Sequence, residues 1–172
     1  MVAQEKGFYA DEGLDFLAGM GEDNVVEFGE ALKGEEPLRA WLDNVRPELV
    51  QITPDDVAAS LDSLLSPVDK AAVTGEFADH LAVQFRQAVS VGMDGWLDDD
   101  LAFTRPWEFD LDAITVPTYL WQGSDDRMVP IAHGEWLAWR IPGVTAHLEQ
   151  GQGHLSIGLG ALDRMLDELV GS

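Results

Sequence analysis

Two short segments of the chain hold side chains whose types and order suit proton transfer: LWQGSDDRMVP at residues 120–130 and GQGHLS at residues 151–156. The first offers adjacent carboxylates, Asp125 and Asp126, directly after a glycine. The second offers an imidazole, His154, between glycines and a hydroxyl. A carboxylate beside an imidazole fixes its tautomer and stabilises its protonated form, which is what a histidine base needs. His154 lies 154 − 126 = 28 residues after Asp126, the span of one strand–helix–strand crossover, so the two loops are expected side by side. Gly151 and Gly153 would let the backbone turn sharply enough to aim the ring.

Elements that could position such a pair follow from the local pattern. ITVPTYLWQG is a β-branched and aromatic run of strand length, IAHGEWLAWRIPG reads as a helix closed by Pro142 and Gly143, VTAHLEQG as a second strand, and LGALDRMLDELV as an amphipathic helix with Leu159, Leu162, Met165, Leu166, Leu169 and Val170 apolar. Strand, helix, strand, helix with short connections implies two parallel strands joined by a crossover. Open sheets of this kind put their chemistry at the carboxyl ends of the strands, where both segments fall. Two parallel strands do not form a self-sufficient sheet, so the tail reads as the end of a larger one.

Residues 11–103 carry helix signals almost throughout. TPDDVAASLDSLL has Thr53 to cap, Pro54 to start and Asp56 in the first turn; SPVDKAAV repeats the grammar with Ser66, Pro67 and Asp69. Phe77, Leu81, Phe85 and Val89 recur every four residues in TGEFADHLAVQFRQAV, and Leu38, Trp41, Leu42, Val45 and Leu49 form a helical stripe that Pro47 should bend or end. DEGLDFLAGMGEDNVVEFGEALKG suggests two short helices punctuated by Gly19 and Gly21 and stopped by Gly34. The division expected is a helical region over residues 1–112 and an α/β part over residues 113–172.

The chain as a whole resembles the C-terminal portion of an α/β-hydrolase. LWQGSDDRMVP is similar to that family's acid loop, Gly-x-x-Asp-x-x-Val-Pro after a strand, and GQGHLS to its histidine loop, Gly-x-Gly-His. The resemblance puts the acid on Asp126, three residues after Gly123 and four before Pro130, puts the base on His154, and leaves Asp125 a solvated neighbour. It implies a truncated α/β-hydrolase fold of the α/β class, in which the helical block is the cap and WLDDDLAFTRPWEFDLDAITVP the return from cap to core. It covers nearly all of residues 11–170.

The family's serine nucleophile, in Gly-x-Ser-x-Gly upstream of the acid, has no counterpart here, nor do its oxyanion loop and first strands. The chain therefore resembles a family member beginning near or inside its cap, and residues 1–7 do not read as strand. AVSVG at residues 88–92 imitates a relaxed elbow, but Ser90 ends a helix instead of following a strand, with Gly92 as its cap. Ser156 lies too close to His154 to be its nucleophile. Two functions of different classes stay open. One is a serine hydrolase of an ester, amide or similar small-molecule acyl substrate, whose nucleophile lies outside this chain or on a complementing N-terminal polypeptide, the isolated chain being inactive. The other is a non-catalytic, self-associating module, such as a homodimer, that hides the sheet edge.

Composition narrows the partners. Ten Lys+Arg against 32 Asp+Glu leave a net charge of −22 over 172 residues, which repels phosphate backbones and anionic lipid, so nucleic-acid and membrane roles are not expected. The absence of cysteine excludes disulfides, thiolate metal sites and a cysteine nucleophile. No long apolar run or leader opens the chain, and a cytoplasmic protein is expected. No cofactor is implied. His80, His133 and His147 read as surface or packing residues without metal spacing, Asp98, Asp99 and Asp100 as a solvated acidic turn without a calcium-loop pattern, Trp96 and Trp107 as core anchors, and Trp121 as buried in its strand or lining the mouth of the site.

Overall fold

Apolar spacing accounts for most of the helices, with local capping chemistry at Thr53 and Ser66. In a computed structural model, which describes residues 15–106 and 109–171, the elements run α1 (Glu22–Ala31), α2 (Glu35–Leu49), α3 (Pro54–Ser60), α4 (Pro67–Ala72), α5 (Gly75–Ala88), α6 (Asp94–Phe103), a single 3-10 turn (Leu111–Ala113), β1 (Tyr119–Gly123), α7 (Ile131–Arg140), β2 (Thr145–Glu149) and α8 (His154–Gly171). The protein is mixed α/β and mostly helical, with a small parallel sheet. Residues 1–7, Trp107 and the start of the first expected helix lie outside the described residues.

The described chain clusters into two units. The first comprises residues 15–18, 22–62 and 73–106 and holds α1, α2, α3, α5 and α6. Leu38, Leu42, Val57, Ala82, Val89 and Leu97 form its most deeply buried set. Pro47 lies inside α2, which runs through it and stops two residues later at Leu49. On α3 the Thr53 amide and hydroxyl both donate to the Asp56 carboxylate, closing the expected N-terminus. The buried line of α5 is Ala78, Ala82 and Val89, with Phe77, Leu81 and Phe85 half-buried beside it. Small residues on that line let α3 and α5 approach closely.

The stretch expected as an acidic turn is instead a helix. Residues 94–103 form α6, and Met93, Leu97, Asp100 and Leu101 make its buried face while Asp98 and Asp99 face solvent. Asp100 shares that face because it stands three residues after Leu97, one helical turn away.

The second unit comprises residues 19–21, 63–72 and 109–171. Segment 63–72, which carries α4, packs here although it is inserted within the sequence of the first unit. β1 and β2 run parallel with Tyr119 opposite Thr145 and Gly123 opposite Glu149, and α7 connects them. Alternation then sorts the two faces. Gln122 points at Gly134 of α7, whereas Trp121 and His147 meet Arg164 and Glu168 of α8.

α8 starts earlier than the apolar pattern implies, at His154, and it buries Ser156, Ile157 and Ala161. The periodicity of LGALDRMLDELV is helical as expected, but Leu159, Leu162, Leu166, Leu169 and Val170 are exposed. Two apolar lines run along this helix, and the shorter side chains take the inner one.

Candidate functional site

The acid loop is a turn built around one carboxylate. Asp126 follows β1 by three residues and is 7% exposed, in contrast with exposed Asp125. Its Oδ1 accepts the amides of Met128 at 2.9 Å and Val129 at 2.8 Å, an Asx-type turn that aims the other oxygen away from the loop. Gln122 steadies that oxygen. Its Nε2 donates to Asp126 Oδ2 at 2.9 Å and to the Val129 carbonyl at 2.7 Å, so one strand side chain ties both ends of the turn. The amide of Gly21 donates to the Arg127 carbonyl and holds the loop from a distant part of the sequence.

The histidine loop meets the acid loop where Gly123 allows it. A Cβ at Gly123 would overlap the Gln152 carbonyl, and this closeness lets the Asp125 amide donate to Gln152 at 2.8 Å and the Ser124 amide to Glu149 at 2.9 Å. Across the junction His154 Nδ1 donates to Asp126 Oδ2 at 2.9 Å. The Asp126 side chain is 4% exposed and the His154 side chain 38%, so the carboxylate is sealed while the ring still reaches solvent. Among the described residues Nε2 of His154 has no hydrogen-bond partner.

These contacts decide the electrostatics. The hydrogen bond with Asp126 raises the imidazole above its ordinary basicity, burial opposes it, and the negative charges of Asp126 and Asp69 add to the rise. With Nδ1–H committed to the carboxylate, the basic lone pair lies on Nε2. Such a ring can take a proton from a hydroxyl or water and return it to a leaving group.

Asp69 was not singled out for this site by the sequence. It is fully buried on α4 and receives the amides of His154 at 3.0 Å, Leu155 at 3.0 Å and Ser156 at 2.8 Å, along with the Ser66 hydroxyl at 2.9 Å. Burial pushes its carboxyl up, but the Ser156 amide, the Ser66 hydroxyl and the His154 amide outweigh this and hold it below the usual carboxylate value. Gly153 is the only local sign of the arrangement, since a Cβ there would overlap Asp69 and Ser66. Ser156 completes it by accepting the Gly153 amide at 2.8 Å, a capping contact and not a nucleophilic one.

The remaining candidates have local partners. Ser90 donates its hydroxyl to the Gln87 carbonyl just past the end of α5. His133 is buried on α7, His80 pairs with Gln84, and His147 stacks on Trp121 and contacts Glu168 at 2.8 Å. Arg164 covers the same Trp121 ring, 4.7 Å from its centre. Trp96 donates to Glu27 in the first unit. Among the described residues no group of three or more His, Asp or Glu side chains is placed to hold a metal ion, and no helix is long and apolar enough to cross a membrane. No protein-family model, no curated protein and no solved structure matches the chain.

Proposed function

We propose that the chain carries the acid and the base of an α/β-hydrolase-like serine hydrolase acting on an ester, amide or similar acyl substrate. One observation carries the reading: Asp126, sealed and held by two loop amides, accepts Nδ1–H of His154 at 2.9 Å, while the ring reaches solvent and its Nε2 has no partner among the described residues. Asp126 orients the ring and stabilises the imidazolium; His154 deprotonates the nucleophile and then protonates the leaving group. The fold belonging to this reading is the tail of an α/β-hydrolase sheet preceded by a helical cap. Its serine is to be found outside these 172 residues, because no Gly-x-Ser-x-Gly occurs in them.

The test is hydrolysis of p-nitrophenyl acyl esters, by the 172-residue chain and by the product extended with the in-frame coding sequence upstream of Met1. The short chain is expected to be inactive and the extended one active, with His154→Ala removing the activity. Hydrolysis by the short chain that His154→Ala abolishes would show that a nucleophile is present after all. An upstream sequence without a serine elbow would remove the reading in which the nucleophile belongs to the same chain.

A self-associating module is the second reading, supported by the exposed apolar line of Leu159, Leu162 and Leu166 on α8. Light scattering separates it from the first: a monodisperse monomer excludes it.

A further inference from the structure

His154 is the first residue of an 18-residue helix, a location unfavourable to a base. Unpaired amides and aligned peptide dipoles put positive charge at a helix N-terminus, which favours the neutral imidazole and weakens it as a proton acceptor. An N-cap side chain ordinarily answers those amides, but the residue before His154 is Gly153, which has none. Asp69 answers them from α4. Its Oδ1 takes the amides of Leu155 and Ser156 and its Oδ2 that of His154, all at 2.8–3.0 Å. No space is left for a side chain at residue 153, so the glycine and the remote carboxylate are two halves of one device.

We propose that Asp69 is a positioning residue for His154: it replaces the missing N-cap side chain, fixes the backbone from which the imidazole projects, and offsets the positive helix end that would otherwise weaken the base. The proposal rests on the reading of His154 as a general base. Two carboxylates then divide the work. Asp126 selects the tautomer through Nδ1, and Asp69 acts on the ring through the helix end without touching it. Among the described residues these are the two charged groups acting on His154. Ser66 keeps Asp69 in place by donating to Oδ2 while accepting the Asp69 amide.

The experiment is an NMR titration of the full 172-residue chain and its Asp69→Asn variant, which keeps the size of the side chain and removes its charge. The His154 midpoint is expected to fall by roughly half to one pH unit, with Nδ1 still protonated in the neutral ring. A folded variant whose His154 titrates as in the wild type overturns the proposal, because a merely structural cap would leave the midpoint alone. If Asp69→Asn does not fold, the wild type decides. Its His154, Leu155 and Ser156 amide signals should shift together at one midpoint below the ordinary carboxylate range, and separate or absent transitions overturn the proposal. Neither readout uses a substrate, so a failure of ester hydrolysis and a failure of this assignment remain distinct results.

Discussion

At the residue scale, what distinguishes Asp126 from Asp125 is what each carboxylate receives. Among the described residues Asp125 takes only the Ser124 hydroxyl at the surface, whereas Asp126 accepts from two loop amides, Gln122 and His154. The Gly-x-x-Asp-x-x-Val-Pro spacing made this choice legible, because Val129 and Pro130 close the turn that faces Asp126 inward. The histidine gains a raised pKa in the folded state, so its stabilising contribution is complete below the unfolded value of about 6.5 and is lost as pH rises through the higher folded value. Urea unfolding of the wild type should therefore weaken across that window, and Asp126→Asn should flatten the slope there. A second residue-scale expectation concerns Gln122, which is 8% exposed and serves both Asp126 and the Val129 carbonyl. Gln122→Ala takes a donor from both acceptors, of which Asp126 Oδ2 keeps His154, and should cost about 1–3 kcal/mol in denaturant unfolding. An unchanged midpoint would mean that water replaces the amide at no penalty.

At the element scale, two helices bury carboxylates that the linear sequence left looking solvated. Asp69 escaped because its amide partners are 85 to 87 residues away and are backbone atoms, which leave no side-chain pattern to read. The one local hint was glycine at residue 153, where a Ser, Thr or Asp would be the usual cap. Asp100 had a clearer sign, since Met93, Leu97 and Leu101 mark the same helix face, but the run Asp98 to Asp100 hid it.

In the first unit the buried carboxyls of Asp100 and Glu27 act on each other, and one buried oxygen of Asp100 has no partner. Burial and the Glu27 charge push the Asp100 carboxyl up to about 8, while burial also raises Glu27. An acid raised in the folded state stabilises below its unfolded value of about 4 and loses that contribution as pH climbs toward 8. Asp100→Asn can donate to Glu27 without ionising. It should be more stable than the wild type above that pH by about 1–3 kcal/mol, measured by thermal or urea unfolding at two pH values. Equal pH profiles for the two proteins would show that the carboxyl pair is not the alkaline weak point. The last helix teaches a different lesson. Its period was readable in LGALDRMLDELV, but Ile157 and Ala161 face inward and Leu159 and Leu162 outward, because periodicity gives spacing without saying which of two apolar lines meets the sheet.

At the scale of the whole molecule, charge and exposed apolar surface work against each other. A net charge of −22 favours separated chains and opposes compaction, so added salt should raise the melting temperature by screening repulsion. The same salt would weaken the repulsion that opposes association through the exposed α8 line. Replacing Leu159 and Leu166, 51% and 50% exposed, with glutamate should lower any self-association seen by light scattering while leaving the melting temperature within about 2 °C. A large loss of stability would show that these leucines are covered within the folded chain.

The insertion of segment 63–72 into the sequence of the first unit sets an order of assembly. During synthesis Asp69 emerges 85 residues before the first of the three amides that receive it. Until α8 is made, the carboxylate has water and Ser66 as partners, and burying it then would strip the water with only Ser66 left to replace it. The second unit is thus stitched from distant pieces and depends on contacts of long sequence separation, which form slowly. A chain cut off at Gln152 would be left with an acid shaped for the interior and nothing there to accept its charge. The Asp126–His154 pair and the anchor of its helix are thus completed together, once α8 is in place.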